Sequence, residues 1–267
     1  MVAATLLATG CSSSGGDETG DRASRTTPAT ARTLDSSKER AVGWLVEHLD
    51  SVDNSPTLMF VDYVGRNWGV TGLTPAAQEL AEAREPWGLS LLIWRLIDPT
   101  YPAGQVFSEP GGTQELLSAA LYCDVHPIGP GFIRTVTRFI REGGYSASHA
   151  GLALQWVRER GCPLDRLDQL LALTSTTLAA ELQQAKLADD LHLEMGAVLA
   201  YIGDPQKIPP DFVELASEQQ HPDGGWGING PEDPSNWHPT LFGAWMLLAL
   251  DSGPGAGATL IGLELGA

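Results

Sequence analysis

Basic residues are scarce in this chain. Among 267 residues, 16 are Lys or Arg and 33 are Asp or Glu, for a formal net charge of −17. Neutralising a phosphate backbone needs clustered cations, and no such cluster stands in the sequence, which excludes nucleic acid as a partner. The acidic surplus reads as a solvated surface that keeps the protein in solution. A long hydrophobic run is missing as well. The apolar stretch Val2 to Thr9 is too short to span a bilayer as a helix. Alternating strand patterns are rare, which argues against a β-rich fold. No motif calls for a cofactor. Cys123-Asp124-Val125-His126 has the form of half a metal site, but no second half accompanies it, so no metal is expected. With 43% hydrophobic and 18% charged residues, the chain holds enough apolar matter for a packed core.

The N-terminal segment "MVAATLLATGCSSSGG" places small residues and then Cys11 after the apolar run. It resembles the end of a bacterial lipoprotein signal. That resemblance implies a lipid on Cys11, a mature N-terminus there, and a chain anchored outside the cytoplasmic membrane by this lipid alone. It departs from the pattern in lacking a basic residue ahead of the apolar run. Ala8 also stands where a larger aliphatic residue is usual, with Leu7 one step upstream. Residues 1–11 are therefore read as a truncated signal. Residues 12–35, rich in Ser, Thr, Gly, Asp and Arg, are expected to form a flexible tether. If Cys11 carries lipid, Cys123 and Cys162 remain as an even pair. An oxidising compartment permits a disulfide between them, although spacing alone does not show proximity.

From Ser36 onward helical patterns dominate. "SSKERAVGWLVEHLD" opens on a Ser cap and places Val42, Leu45, Val46 and Leu49 on one face. "TPAAQELAEARE" has Thr74 as a cap and Pro75 at the first helical position. Further helices are predicted near 87–97, 113–123, 131–142, 147–160, 164–186, 189–203, 209–220 and 238–251. Gly- and Pro-rich stretches separate them. The expectation is one all-α domain over 36–252, followed by a Gly-rich tail over 253–267.

Three of these segments superpose. His149, Leu152 and Trp156 recur as His192, Met195 and Leu199, and again as His238, Leu241 and Trp245. The repeat starts lie 43 and 46 residues apart, a spacing that suits stacked helix pairs. Gly143-Gly144-Tyr145 precedes one copy and Gly224-Gly225-Trp226 another. The glycines permit tight reversals with positive φ, and a glutamine such as Gln220 can bond the end of a neighbouring helix.

Gln220-x-x-x-Gly224-x-Trp226 resembles the repeat of terpenoid cyclases and protein prenyltransferases. The resemblance implies helix-hairpin repeats in a small or incomplete α/α toroid. Residues 209–220 would be an outer helix, 224–226 the turn and 238–251 an inner helix. The families' catalytic motifs do not accompany it. Asp189-Asp190 lacks the preceding acid of an Asp-x-Asp-Asp motif, and no Asp/Cys pair stands beside the histidines to hold zinc.

In such a toroid His149, His192 and His238 would meet at one mouth with Asp190 and Asp189 beside them. At helix N-termini, each imidazole is expected to favour its neutral form. Tyr145, Trp226 and Trp237 would wall the pocket, and Trp156 and Trp245 would be core. Asp189 and Asp190 fit the start of the 189–203 helix, and Glu194 falls away from the His192 face, toward solvent. The leading functional expectation is an envelope lipoprotein that binds a small molecule or an envelope component at the mouth. An enzyme of the same fold acting on an isoprenoid, glycan or cell-wall substrate is one alternative. A protein-interaction scaffold is the other.

Overall fold

The structure is a computed structural model. It describes residues 28–52, 55–74, 79, 93–96, 101–102 and 109–252. The lipidation signal with Cys11, the tether up to residue 27, most of the helices expected over 74–85 and near 87–97, and the Gly-rich tail lie outside the described residues. What is described is predominantly helical, as expected: α1 Pro28–His48, α2 Ser55–Trp68, α3 Thr113–Leu121, α4 Pro130–Glu142, α5 Gly144–Glu159, α6 Leu167–Leu182, α7 Asp190–Tyr201, α8 Pro210–Glu218 and α9 Trp237–Ser252.

Helix α1 begins eight residues before the expected Ser36 cap. The segment before Ser36 lacks apolar periodicity, yet after Pro28 it contains neither Gly nor Pro to stop a helix. The buried stripe of α1 is Ser37, Ala41, Trp44 and Leu45, continued by Leu49 in the turn after it, while Val46, expected on that stripe, is exposed. Trp44, four residues before His48 and three after Ala41, pulls the stripe round the helix. Lys38 of α1 reaches Asp251 of α9 at 2.6 Å, and α1 packs against α8 and α9.

Helix α2 is the element that sequence periodicity missed. Leu58, Met59, Val61, Asp62, Tyr63 and Val64 are all buried, so the helix is enclosed on every side. Its Val, Phe, Tyr and Asp residues and Gly65 have weak local helix propensity, so the helix rests on its packing. Its Phe60, Tyr63 and Trp68 rings lie beside Trp156, Tyr201 and Trp245 at centroid distances of 5.7 to 6.1 Å. Tyr63 Oη donates to Tyr201 Oη at 2.6 Å. Trp156 and Trp245 are fully buried, as expected.

Helices α5, α7 and α9 pack side by side, α7 touching both of the others. Helix α6 lies against α5 and α7, and α3 and α4 lie against α5. The α4–α5 hairpin closes without a loop. Gly143 at φ 71° and Gly144 at φ 55° adopt the left-handed region, where L side chains are strained. A disulfide joins Cys123, after α3, to Cys162, after α5, with Cα atoms 6.0 Å apart. The Cys123 sulfur is thereby engaged, which removes it from any metal site with His126.

The second glycine turn is built differently. Gln220 donates to Ser37 O at 2.9 Å and Gly224 O at 2.8 Å, and accepts from Arg40. It therefore ties the turn to the middle of α1 rather than to a helix end. Gly224, at φ 102°, sits so close that a Cβ there would be 2.4 Å from Arg40 O. The chain then forms a strand, β1 Trp226–Gly227, paired antiparallel with β2 Ser235–Asn236, before α9 begins. Trp226 and Tyr145 are consequently not equivalent. Trp226 enters the core at 1% exposure, its Nε1 donating to Ala216 O at 2.8 Å, and it is no part of an open pocket wall. Tyr145 remains 42% exposed.

Candidate functional site

The first turns of α5, α7 and α9 bring together Tyr145, Ser148 and His149, Asp190 and Glu194, and His238. Tyr145, Ser148 and His149 are spaced i, i+3, i+4 on α5, so they share a face. Asp190 and Glu194 share a face of α7 in the same way. Because α7 is flanked by α5 and α9, that face looks into both neighbours.

Asp190 accepts two hydrogen bonds, from Tyr145 Oη at 2.6 Å and from His238 Nδ1 at 2.5 Å. Glu194 accepts from Ser148 Oγ. Its two oxygens also face two imidazoles at longer range: His149 Nε2 lies 3.6 Å from Oε1, and His238 Nε2 lies 4.0 Å from Oε2. The acids are inside and the imidazoles are at the rim. Glu194 is 1% exposed and Asp190 is buried, while the side chains of His149 and His238 are 26% and 30% exposed. Trp237 adjoins this rim edge-on to His238, with ring centroids 5.1 Å apart. The His238 backbone N–H donates to Asn236 Oδ1 at 3.0 Å, which holds the start of α9 in place.

Comparison with protein-family models, curated proteins and solved structures finds no match. The site is therefore read from its own chemistry.

Burial alone would lower the His238 pKa. The Asp190 hydrogen bond and the charges of Asp190 and Glu194 outweigh it and raise the value above the ordinary 6.5. The helix-dipole expectation of a neutral His238 is thus overturned. Two nearby carboxylates act more strongly than the partial charge of a helix end. Tyr145 is pushed far above its ordinary range by burial and by the negative charges of Asp190, Glu194 and Asp189, so it stays a hydrogen-bond donor.

Linkage gives the sign of the pH effect. With its folded pKa raised, His238 contributes stability that is complete below pH 6.5 and is lost as pH rises through the folded pKa. An NMR titration of the His238 ring should show an upward-shifted midpoint in the wild type. Asp190→Asn should bring that midpoint down, and an unmoved midpoint would show that Asp190 does not set it.

His192 is not brought into this cluster. Its Nδ1 and Asp189 Oδ1 are 2.7 Å apart, and Asp189 also caps α7 by accepting from the His192 N–H at 3.0 Å. Burial would raise the Asp189 carboxyl; the hydrogen bonds from the His192 ring and backbone outweigh it and hold the pKa low. The His192 ring lies beside Phe212 of α8, with centroids 6.3 Å apart. His192 therefore serves its own helix end. Glu194 takes the place it was expected to fill, two residues on and about 200° round the helix. The expectation that Glu194 is solvated is corrected by its burial. A signal for it exists in the sequence. After Glu194, α7 continues Met-Gly-Ala-Val-Leu-Ala, and an acid inside a helix with no polar face has nowhere dry to go without a partner.

Proposed function

We propose that this chain is a cell-envelope lipoprotein whose helix-hairpin repeats form a small α/α toroid and bind a polar ligand where α5, α7 and α9 begin. Glu194 carries the reading. A carboxylate at 1% exposure with a hydrogen bond on one oxygen only, facing two half-open imidazoles, is a costly arrangement for a purely structural role. The side-by-side packing of the three repeat helices, with α1, α3, α4, α6 and α8 outside them, supports the toroid. The disulfide supports an oxidising compartment, in keeping with a lipid on Cys11.

An acid–base enzyme of the same fold is the second reading, favoured by the Asp190–His238 pair. Asp190 holds Nδ1 and leaves Nε2 facing Glu194, the arrangement in which a carboxylate orients an imidazole for proton transfer.

Two measurements test the proposal. Palmitate labelling should mark the wild type and not Cys11→Ala; an unlabelled wild type overturns the anchor. Native mass spectrometry of the full chain purified from the envelope should show a small-molecule adduct that Glu194→Leu abolishes. No adduct, or one indifferent to Glu194, overturns the ligand site.

A further inference from the structure

Resting on the reading of the cluster as a ligand site, we propose that Glu194 and His238 hold between them one hydroxyl of a neutral saccharide. The rings of Tyr145 and Trp237 stand beside the sugar. The separation of Glu194 Oε2 from His238 Nε2, 4.0 Å, is too long for a hydrogen bond. It is the distance left when a single oxygen sits between the two with bonds of about 2.8 Å, meeting at roughly 90°. Asp190 holds Nδ1, and the charges of Asp190 and Glu194 favour the doubly protonated ring, so this oxygen donates to a carboxylate and accepts from the Nε2 N–H. A hydroxyl does both.

Other ligand classes fit worse. An ammonium group has no lone pair to accept from Nε2. A carboxylate or phosphate has no proton for Glu194 and would face the negative charge of two buried acids. The neighbouring hydroxyls of Ser148 and Tyr145 do not fill the gap, because Ser148 is bonded to the other oxygen of Glu194 and Tyr145 is bonded to Asp190. His149 Nε2, 3.6 Å from Oε1, offers a second polar group one step along, as a polyol needs. The exposed Tyr145 ring stacks beside the His149 ring at 6.4 Å and Trp237 stands edge-on to His238 at 5.1 Å, so an aromatic ring adjoins each imidazole. Sugars present C–H faces to such rings and hydroxyls to such acids.

The test is a glycan array of neutral linear oligosaccharides of glucose, N-acetylglucosamine, mannose, galactose and arabinose, probed with the full chain. At least one should bind. Glu194→Leu and His238→Gln should each weaken that binding about 10- to 100-fold, the scale of a charged hydrogen bond. His238→Gln changes a rim residue and guards against misfolding of the Glu194 variant. Removing one hydroxyl from the bound sugar should have an effect of the same size. No bound saccharide, or binding indifferent to both substitutions, overturns the proposal. If a panel of alkylammonium and carboxylate compounds instead shifts the His149 and His238 ring signals by NMR, and Glu194→Leu abolishes the shifts, the saccharide falls and the ligand site stands. If neither panel moves those signals, both fall.

Discussion

Trp226→Ala is expected to lower the free energy of unfolding by about 4 kcal/mol, the scale of emptying a large aromatic site in a core. The ring is 1% exposed, and it fills space that no neighbour can recover. Gly243 of α9 is flat against it, since a Cβ there would be 2.7 Å from the indole. The substitution also strands Ala216 O, which accepts from Nε1 at 2.8 Å, while the Trp226 backbone N–H keeps its bond to Thr240 Oγ1 at 3.0 Å. The variant therefore retains the turn and loses the packing. Denaturant unfolding monitored by helical circular dichroism reads the difference. A loss below about 1 kcal/mol would show that the indole is not a core element.

Loss of the Cys123–Cys162 disulfide is expected to cost about 4 kcal/mol if the stabilisation is chain entropy alone. The bond spans 39 residues, and closing a loop of that length restricts the unfolded chain to this degree. It also fastens the C-terminal ends of α3 and α5 to each other. Thermal unfolding of the wild type should move to markedly lower temperature in a thiol reductant. The double substitution Cys123→Ser, Cys162→Ser should melt at the reduced temperature whether or not reductant is present. Identical melting of oxidised and reduced wild type would refute the stabilising role.

Much of the helical layout was legible in the sequence because amphipathic stripes and Gly/Pro punctuation are local properties. The α4 stripe of Phe132, Val136, Phe139 and Ile140 could be placed from spacing, as could the Gly143–Gly144 reversal. Helix α2 was not legible, because its Val, Phe, Tyr, Asp and Gly residues have weak local helix propensity and its form depends on packing. The candidate site was half legible. His149, His238, Asp190 and Tyr145 followed from the repeat register and the turn that precedes it. His192 followed the same register and went elsewhere, because its ring lies against α8 and its nitrogen satisfies the adjacent cap. Trp226 matched Tyr145 in sequence and not in space, because the β1–β2 hairpin separates it from the helix that follows.

The sequence by itself determined the helical class, the recurrence of histidine and core positions, and the acid-rich, base-poor balance. These depend only on which side chains recur at which spacing. Tertiary structure alone decided which acid serves which histidine. Asp189 went to His192 within one helix turn, while Asp190 and Glu194 were carried by the other face of α7 to partners on α9 and α5. The same packing decided the direction in which the His238 pKa moves. A helix end favours a neutral imidazole, but two carboxylates brought close by neighbouring helices reverse that preference, and their proximity is not written in any local pattern.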